Sequence, residues 1–257
     1  MIKENSSKYS LDIVYVNYFS SSDTSFSIES LYKLEIYNFY KTNIFIIDNS
    51  FTESNQQEVT TLSSMHKKFK EKDFTIFYLP SDKNLGFGKA CNRIIRHGKS
   101  KIILFLNCDT DFSKTKIKDL VRTINEVKGD IGIIGPKVVS KENLLHASCF
   151  SFDPTSIFLK PFRHVRKIGN LSSFIPEYKF FKKRIDRIIY EGMDKTKKIK
   201  VDWVSGCSMF VSRKFFVSAG GFDDRYFLYF EDVDLCRKAK QLNYKVIFDP
   251  RVTVIHR

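Results

Sequence analysis

The sequence predicts an α/β protein built on a doubly wound, mostly parallel central sheet. Three observations point there. Short apolar runs alternate with segments of helical period, the pattern of βαβ units. The runs are apolar at consecutive positions, as strands covered on both faces require. Successive runs also end in Asn or Asp, at the sheet edge where open α/β folds gather their ligands. A chain of 257 residues is long enough for one such domain.

The first strand is read from residues 11–16 (LDIVYV), followed by the polar loop NYFSSSD. A helical period follows over residues 26–40. Residues 43–47 (NIFII) form the second strand, which ends at Asp48, Asn49 and Ser50. A second helix covers 56–70, a third strand 74–79 (FTIFYL), and a helix 89–97 comes after NLGFG. The fourth strand, 101–106 (KIILFL), runs into Asn107, Asp109 and Asp111. Residues 131–139 (IGIIGPKVV) read as a fifth strand. After VDWVSGCSMFV and a helix comes GGFDDRYFLYFEDVDLCRKAKQLNY, and then a last strand pair ending at His256. The first half therefore has the architecture of a nucleotide-binding fold. One domain is expected, divided into about 11–140, a variable basic insertion at about 141–200, and about 201–257.

The formal charge of +14 suits an anionic partner without choosing among nucleic acid, a membrane surface and a phosphorylated substrate. Five widely spaced cysteines, odd in number and lacking a CxxC pair, read as reduced thiols of a cytoplasmic protein. The first ten residues lack the apolar core of a signal peptide. No apolar run approaches the ~20 residues of a membrane-spanning helix. Residues 160–200 hold thirteen Lys or Arg against four acids, interleaved with aromatic and aliphatic residues. Such a stretch is either a solvated charged face or a peripheral contact with an anionic membrane.

Two acidic constellations stand out. Asp109 and Asp111, with Asn107 before them, close a strand. That is ordinary turn chemistry, or a corner that holds a hard divalent cation and lets substrate phosphates complete its shell. Among the five acids of GGFDDRYFLYFEDVDLC, Glu231 and Asp232 sit where an aromatic run meets a helix. Helix capping explains acids there; an apolar wall that raises a carboxyl's pKa suits a general base. Trp203 is either core or a stacking face for a pyranose.

In order and spacing, NIFIIDNS, KNLGFGKACN, LFLNCDTDF, the block from VDWVSG to EDVDLC and the final His resemble glycosyltransferase family 2, and most its rhamnosyltransferase-like branch. The resemblance implies a GT-A fold and inverting transfer from a nucleotide diphosphate sugar. It assigns Asn17, Tyr18 and Asp48 to the base, Asn84, Gly86 and Phe87 to the nucleoside loop, and Asn107 and Asp109 to the nucleotide sugar. Asp109, Asp111 and His256 would hold Mn²⁺ or Mg²⁺. Asp232 would be the catalytic base, and Trp203 and Glu231 would face the acceptor. The branch implies a dTDP-linked rhamnose donor, with UDP-linked hexoses open. The acceptor would be a glycan or lipid-linked saccharide of bacterial surface polysaccharide synthesis, and no nucleic acid partner is expected. Two alternatives remain: a sugar nucleotidyltransferase, though NYFSSSD lacks the Gly-rich, basic loop such enzymes carry, and a basic nucleic-acid-binding protein.

Overall fold

The computed structural model describes residues 9–50, 56–142, 144, 149–150 and 197–257. Most of the basic stretch expected to touch a membrane, 160–196, lies outside the described residues.

Strands β1 (Ser10–Asn17), β2 (Lys41–Asp48), β3 (Phe74–Pro80) and β4 (Ile102–Leu106) pair in parallel in the order β3-β2-β1-β4. Beyond β4 lie β10 (Ser208–Ser212), antiparallel to both its neighbours, then β6 (Ile131–Val139) and, parallel to β6, β11 (Lys245–His256). The short β5 (Thr110–Asp111) and β8 (Ile199–Val201) flank β11. Strands β7 (Cys149–Phe150) and β9 (Trp203–Val204) form a separate pair. Apolar residues on the two faces of the sheet feed two separate cores. One contains Ile13, Ile44, Leu104 and Phe210; the other contains Val14, Phe45, Phe105 and Met209. Adjacent residues of each strand thus enter opposite cores, which is why the strands read as unbroken apolar runs.

The helices are α1 (Ser21–Lys33), α2 (Gln56–Ser64), α3 (Phe87–Asn92), α4 (Ile94–His97), α5 (Ile117–Glu126), α6 (Arg213–Ser218) and α7 (Glu231–Gln241). Several element boundaries differ from the sequence expectation. Helix α1 begins inside NYFSSSD, because the Glu58 carboxylate accepts from the Ser21 amide and hydroxyl and satisfies the helix start from 37 residues away. It stops at Lys33, where Glu35 turns left-handed at φ 56°. The helix expected over 56–70 narrows to a 3₁₀ turn after Ser64. The one expected over 89–97 breaks at Arg93, whose guanidinium is drawn to the carbonyls of Leu79 and Pro80 and the Ser81 hydroxyl. The expected last strand pair is one strand, β11, whose register slips between Asp249 and Thr253. Pro250, which has no N–H to give the ladder, lies within that slip.

Two ion-pair networks tie the layers together. Asp12, fully buried on β1, accepts from Arg213 at 2.8 Å, the Ser100 amide at 3.0 Å and Asn43 at 2.9 Å. Arg251 on β11 pairs with Glu126 of α5 at 2.6 Å and with the buried Asp249.

Candidate active site

The parallel strands deliver their polar ends to one edge. Asn17 and Asp48 are register partners at the ends of β1 and β2. Both are fully buried and joined by a 3.0 Å hydrogen bond from the Asn17 amide. Asp48 also accepts from the Ser50 amide at 3.0 Å, the Ser50 hydroxyl and the Tyr78 hydroxyl at 2.7 Å. A carboxylate so supplied organises the ends of β1, β2 and β3. Asp48, the acid expected to meet the base, thus stands buried at this edge with the Tyr78 hydroxyl on its second oxygen. Tyr18 follows Asn17 and is exposed, edge-on to Phe19 at 4.7 Å.

Asn49 fastens the NLGFG loop to this edge. Its side-chain amide donates to the Gly86 carbonyl at 3.0 Å and to the Asn84 Oδ1 at 3.2 Å, and Asn84 Oδ1 in turn accepts from the Gly86 amide at 2.9 Å. Gly86 sits at φ 76°, and a Cβ there would lie 2.2 Å from the Phe227 carbonyl oxygen. That carbonyl accepts from the Phe87 amide at 3.1 Å. Only glycine allows the loop to lie this close to the aromatic segment before α7. The sequence marks Asn49 only as the end of a strand beside Asp48, and nothing local in it announces this bond to the loop.

At the end of β4 the chain turns into β5, whose antiparallel pairing sets Thr110 opposite His256 and Asp111 opposite Ile255. This pairing brings His256 Nε2 within 3.1 Å of Asp109 Oδ1 and 3.3 Å of Asn107 Nδ2. The bond to Asp109, then that to Cys207, pushes the His256 pKa up to about 10. Asp111 points elsewhere: both its oxygens accept from Ser113, from the amide at 2.8 Å and the hydroxyl at 3.0 Å. These bonds are turn capping, the other of the two roles its position suggests. Among the described residues no cluster of three or more His, Cys, Asp or Glu side chains is arranged to hold a metal. Asp109 and His256 nevertheless offer one carboxylate and one imidazole in mutual reach. That small set fits Mn²⁺ or Mg²⁺ when substrate phosphates supply the other ligands.

A pocket of about 260 Å³ joins this corner to α7, and its lining includes Phe87, Asn107, Cys207, Glu231, Asp232 and His256. Asp232 stands in the first turn of α7. Its Oδ2 accepts from the Gly206 amide and its Oδ1 from the Val233 amide, both at 2.8 Å. Glu231 beside it is only 5 % exposed, and among the described residues its Oε2 has no hydrogen-bond partner. Burial outweighs the hydrogen bond from the residue's own backbone amide and, with repulsion from Asp232, pushes the Glu231 pKa up to about 7. The aromatic run before α7 is exposed, with Tyr229 and Phe230 both left-handed at φ 67° and 71°. Trp203, expected either as core or as an acceptor face, is 8 % exposed, packs in the second core and is not among the residues lining this pocket. A larger cavity, about 760 Å³, lies beside α3 and α4, but none of Asp48, Asp109, Asp232 and His256 lines it. Size there is unrelated to the chemistry.

Comparison with known proteins agrees with this geometry. The profile of Glycosyl transferase family 2 matches residues 12–216. The chain belongs to glycosyltransferase family 2. Within the family, residues of this chain are 41% identical over 56 positions to an N-acetylglucosaminyl-diphospho-decaprenol L-rhamnosyltransferase of Mycobacterium tuberculosis, covering 22% of this chain and 18% of that one. They are 34% identical over 100 positions to the rhamnosyltransferase WbbL of Escherichia coli, covering 36% and 34%. The aligned stretches thus span about a third or less of these relatives, which places the family 2 chain near the rhamnosyltransferase-like branch. Its backbone resembles the mannosyltransferase PcManGT of Pyrobaculum calidifontis, solved with GDP-Man and Mn²⁺, with TM-score 0.59, 13% identity and coverage of 96% of this chain and 56% of that one. It also resembles GalNAc-T7, solved with UDP, GalNAc and Mn²⁺, with TM-score 0.62, 15% identity and coverage of 99% and 44%. The fold of this family 2 member is GT-A.

Proposed function

We propose that this family 2 protein transfers a sugar, with inversion, from a nucleotide diphosphate sugar to a hydroxyl of a glycan or lipid-linked saccharide. The observation that carries the reading is the single pocket shared by Asp232 and His256, with His256 in contact with Asp109. A cation held by Asp109 and His256 would neutralise the charge that builds on the departing diphosphate. Asp232 accepts the proton of the attacking hydroxyl, because a carboxylate within reach of that hydroxyl is sufficient as a general base. Single displacement then inverts the anomeric carbon. Asn17, Tyr18, Asp48 and Asn107 frame the nucleotide side, with Asn84, Gly86 and Phe87 closing it, and Glu231 faces the sugar.

The rhamnosyltransferase relatives support a dTDP-linked rhamnose donor and a place in surface polysaccharide synthesis. Among the described residues no helix is long and apolar enough to cross a membrane. Contact with a lipid-linked acceptor at the inner face of the membrane would then fall to the basic 160–200 stretch. Family membership disfavours both alternatives, nucleotidyl transfer and nucleic acid binding. The test is Asp232→Asn assayed with Mn²⁺ and a panel of dTDP-, UDP- and GDP-sugars. Donor turnover should fall ~10²–10⁴-fold, the usual worth of a general base, while calorimetry shows unchanged donor affinity. Turnover within tenfold of wild type refutes the assignment.

A further inference from the structure

Glu231 is the group in the pocket that the sugar-transfer scheme leaves least explained. It occupies the first position of α7, where an anion is ordinarily welcome. Yet its carboxyl is turned inward. A Cβ placed on Gly88 of α3 would touch Glu231 Cβ at 3.3 Å and Phe222 Cβ at 3.0 Å, so the side chain is wedged under the NLGFG loop against an apolar wall. Among the described residues its buried Oε2 meets no hydrogen-bond donor, although the side chain lines the pocket. A buried polar atom without a partner is rare enough in folded proteins to require a reason. An ionised carboxylate in that state would be far costlier than a neutral one. The titratable groups around it do nothing to favour the anion. Asp232 lies on its own helix, and the buried Cys91 thiol approaches from α3. His256 and Cys207 line the same pocket from β11 and from the turn before β10, with His256 committed to Asp109. Asp232, by contrast, is stabilised as an anion by two backbone amides.

We propose that Glu231 works as a neutral carboxylic acid that donates a hydrogen bond to an oxygen of the bound nucleotide sugar, while its neighbour Asp232 remains the anion that receives the acceptor's proton. The inference rests on the sugar-transfer reading. A protonated carboxyl has a hydrogen to give; an ionised one only accepts, and repels a diphosphate. The two adjacent acids of the aromatic segment thus divide the labour, one taking a proton and the other presenting one. The raised Glu231 pKa of about 7 agrees with this arrangement. It also sets the sign of the pH dependence: the donor-binding form is present below about 7 and is lost as pH rises through it.

The experiment is calorimetric titration of Mn²⁺-loaded protein with whichever dTDP- or UDP-sugar raises its melting temperature, from pH 6 to 8.5. In the wild type the dissociation constant should rise, approaching tenfold per pH unit above pH 7. Glu231→Gln, which is neutral and still a donor, should bind within about threefold of wild type at pH 6 and show no such rise. Glu231→Met should bind at least tenfold more weakly than wild type at pH 6 and show no rise with pH, with unchanged melting temperature or higher. A Glu231→Gln profile that parallels wild type overturns the inference, as does a Gln variant as weak as Met at pH 6. A wild type that binds no nucleotide sugar overturns the sugar-transfer reading and the inference with it, a result distinct from either of these.

Discussion

Replacing Gly86 by alanine tests how the donor loop is held. Gly86 has φ 76° and ψ −177°, a region that only glycine enters at little cost. Forcing a side chain into it costs about 1–3 kcal/mol. The added Cβ would also sit 2.2 Å from the Phe227 carbonyl oxygen and 3.0 Å from its carbon, both backbone atoms that no rotamer change can clear. The loop must move, and with it goes the hydrogen bond from Phe87 to that carbonyl, worth about 1 kcal/mol. Together the terms give about 2–4 kcal/mol, or roughly 4–16 °C in melting temperature for a chain of this size. Gly129→Ala is the control: its φ is 63°, but nothing lies within 4 Å of the added Cβ. It carries the conformational cost without the collision. Differential scanning calorimetry should place Gly86→Ala well below Gly129→Ala. Titration with nucleotide sugar should show weakened binding only for Gly86→Ala. If the two variants match in both measurements, the contact between the NLGFG loop and the aromatic segment does not shape the site.

Removing Arg213 by mutation to Met should destabilise the fold by about 3–5 kcal/mol, because Asp12 is left as a buried, unpaired acid; chemical denaturation reads this directly. The Arg251 network predicts an acid limb. The bond to Arg251 holds the Glu126 carboxyl down at about 2 against an ordinary 4.5, so its contribution is present above about 4.5 and is lost as pH falls towards 2. Melting temperatures from pH 6 to 2 should fall less steeply in Arg251→Met than in wild type, and parallel curves would count against the pairing.

The strands and their polar ends were legible because burial on both faces leaves a local mark: consecutive apolar residues followed by Asn or Asp. The convergence of Asp109, Asp232 and His256 was legible only through the family pattern, since the β5–β11 pairing that seats His256 joins segments far apart in sequence. Other features had no local mark at all. The start of α1 depends on Glu58, the break at Arg93 on carbonyls of β3, and the burial of Trp203 on the second core. Asp48 and Asp111 show the limit most clearly. Both end a strand, as site carboxylates do, and the donors on their oxygens, Tyr78 and Ser50 in one case and Ser113 in the other, left no sign in the pattern. Residue type and position do not disclose which donors an acid at a strand end will meet.

The most direct test of the central claim is a crystal of the protein grown with Mn²⁺ and a nucleotide sugar, with the metal located by anomalous scattering. The proposal predicts one strong peak bound to an Asp109 oxygen and His256 Nε2, bridged by the diphosphate, with the sugar facing Asp232. A peak bound elsewhere, or a diphosphate seated without contact to Asp109 and His256, contradicts it.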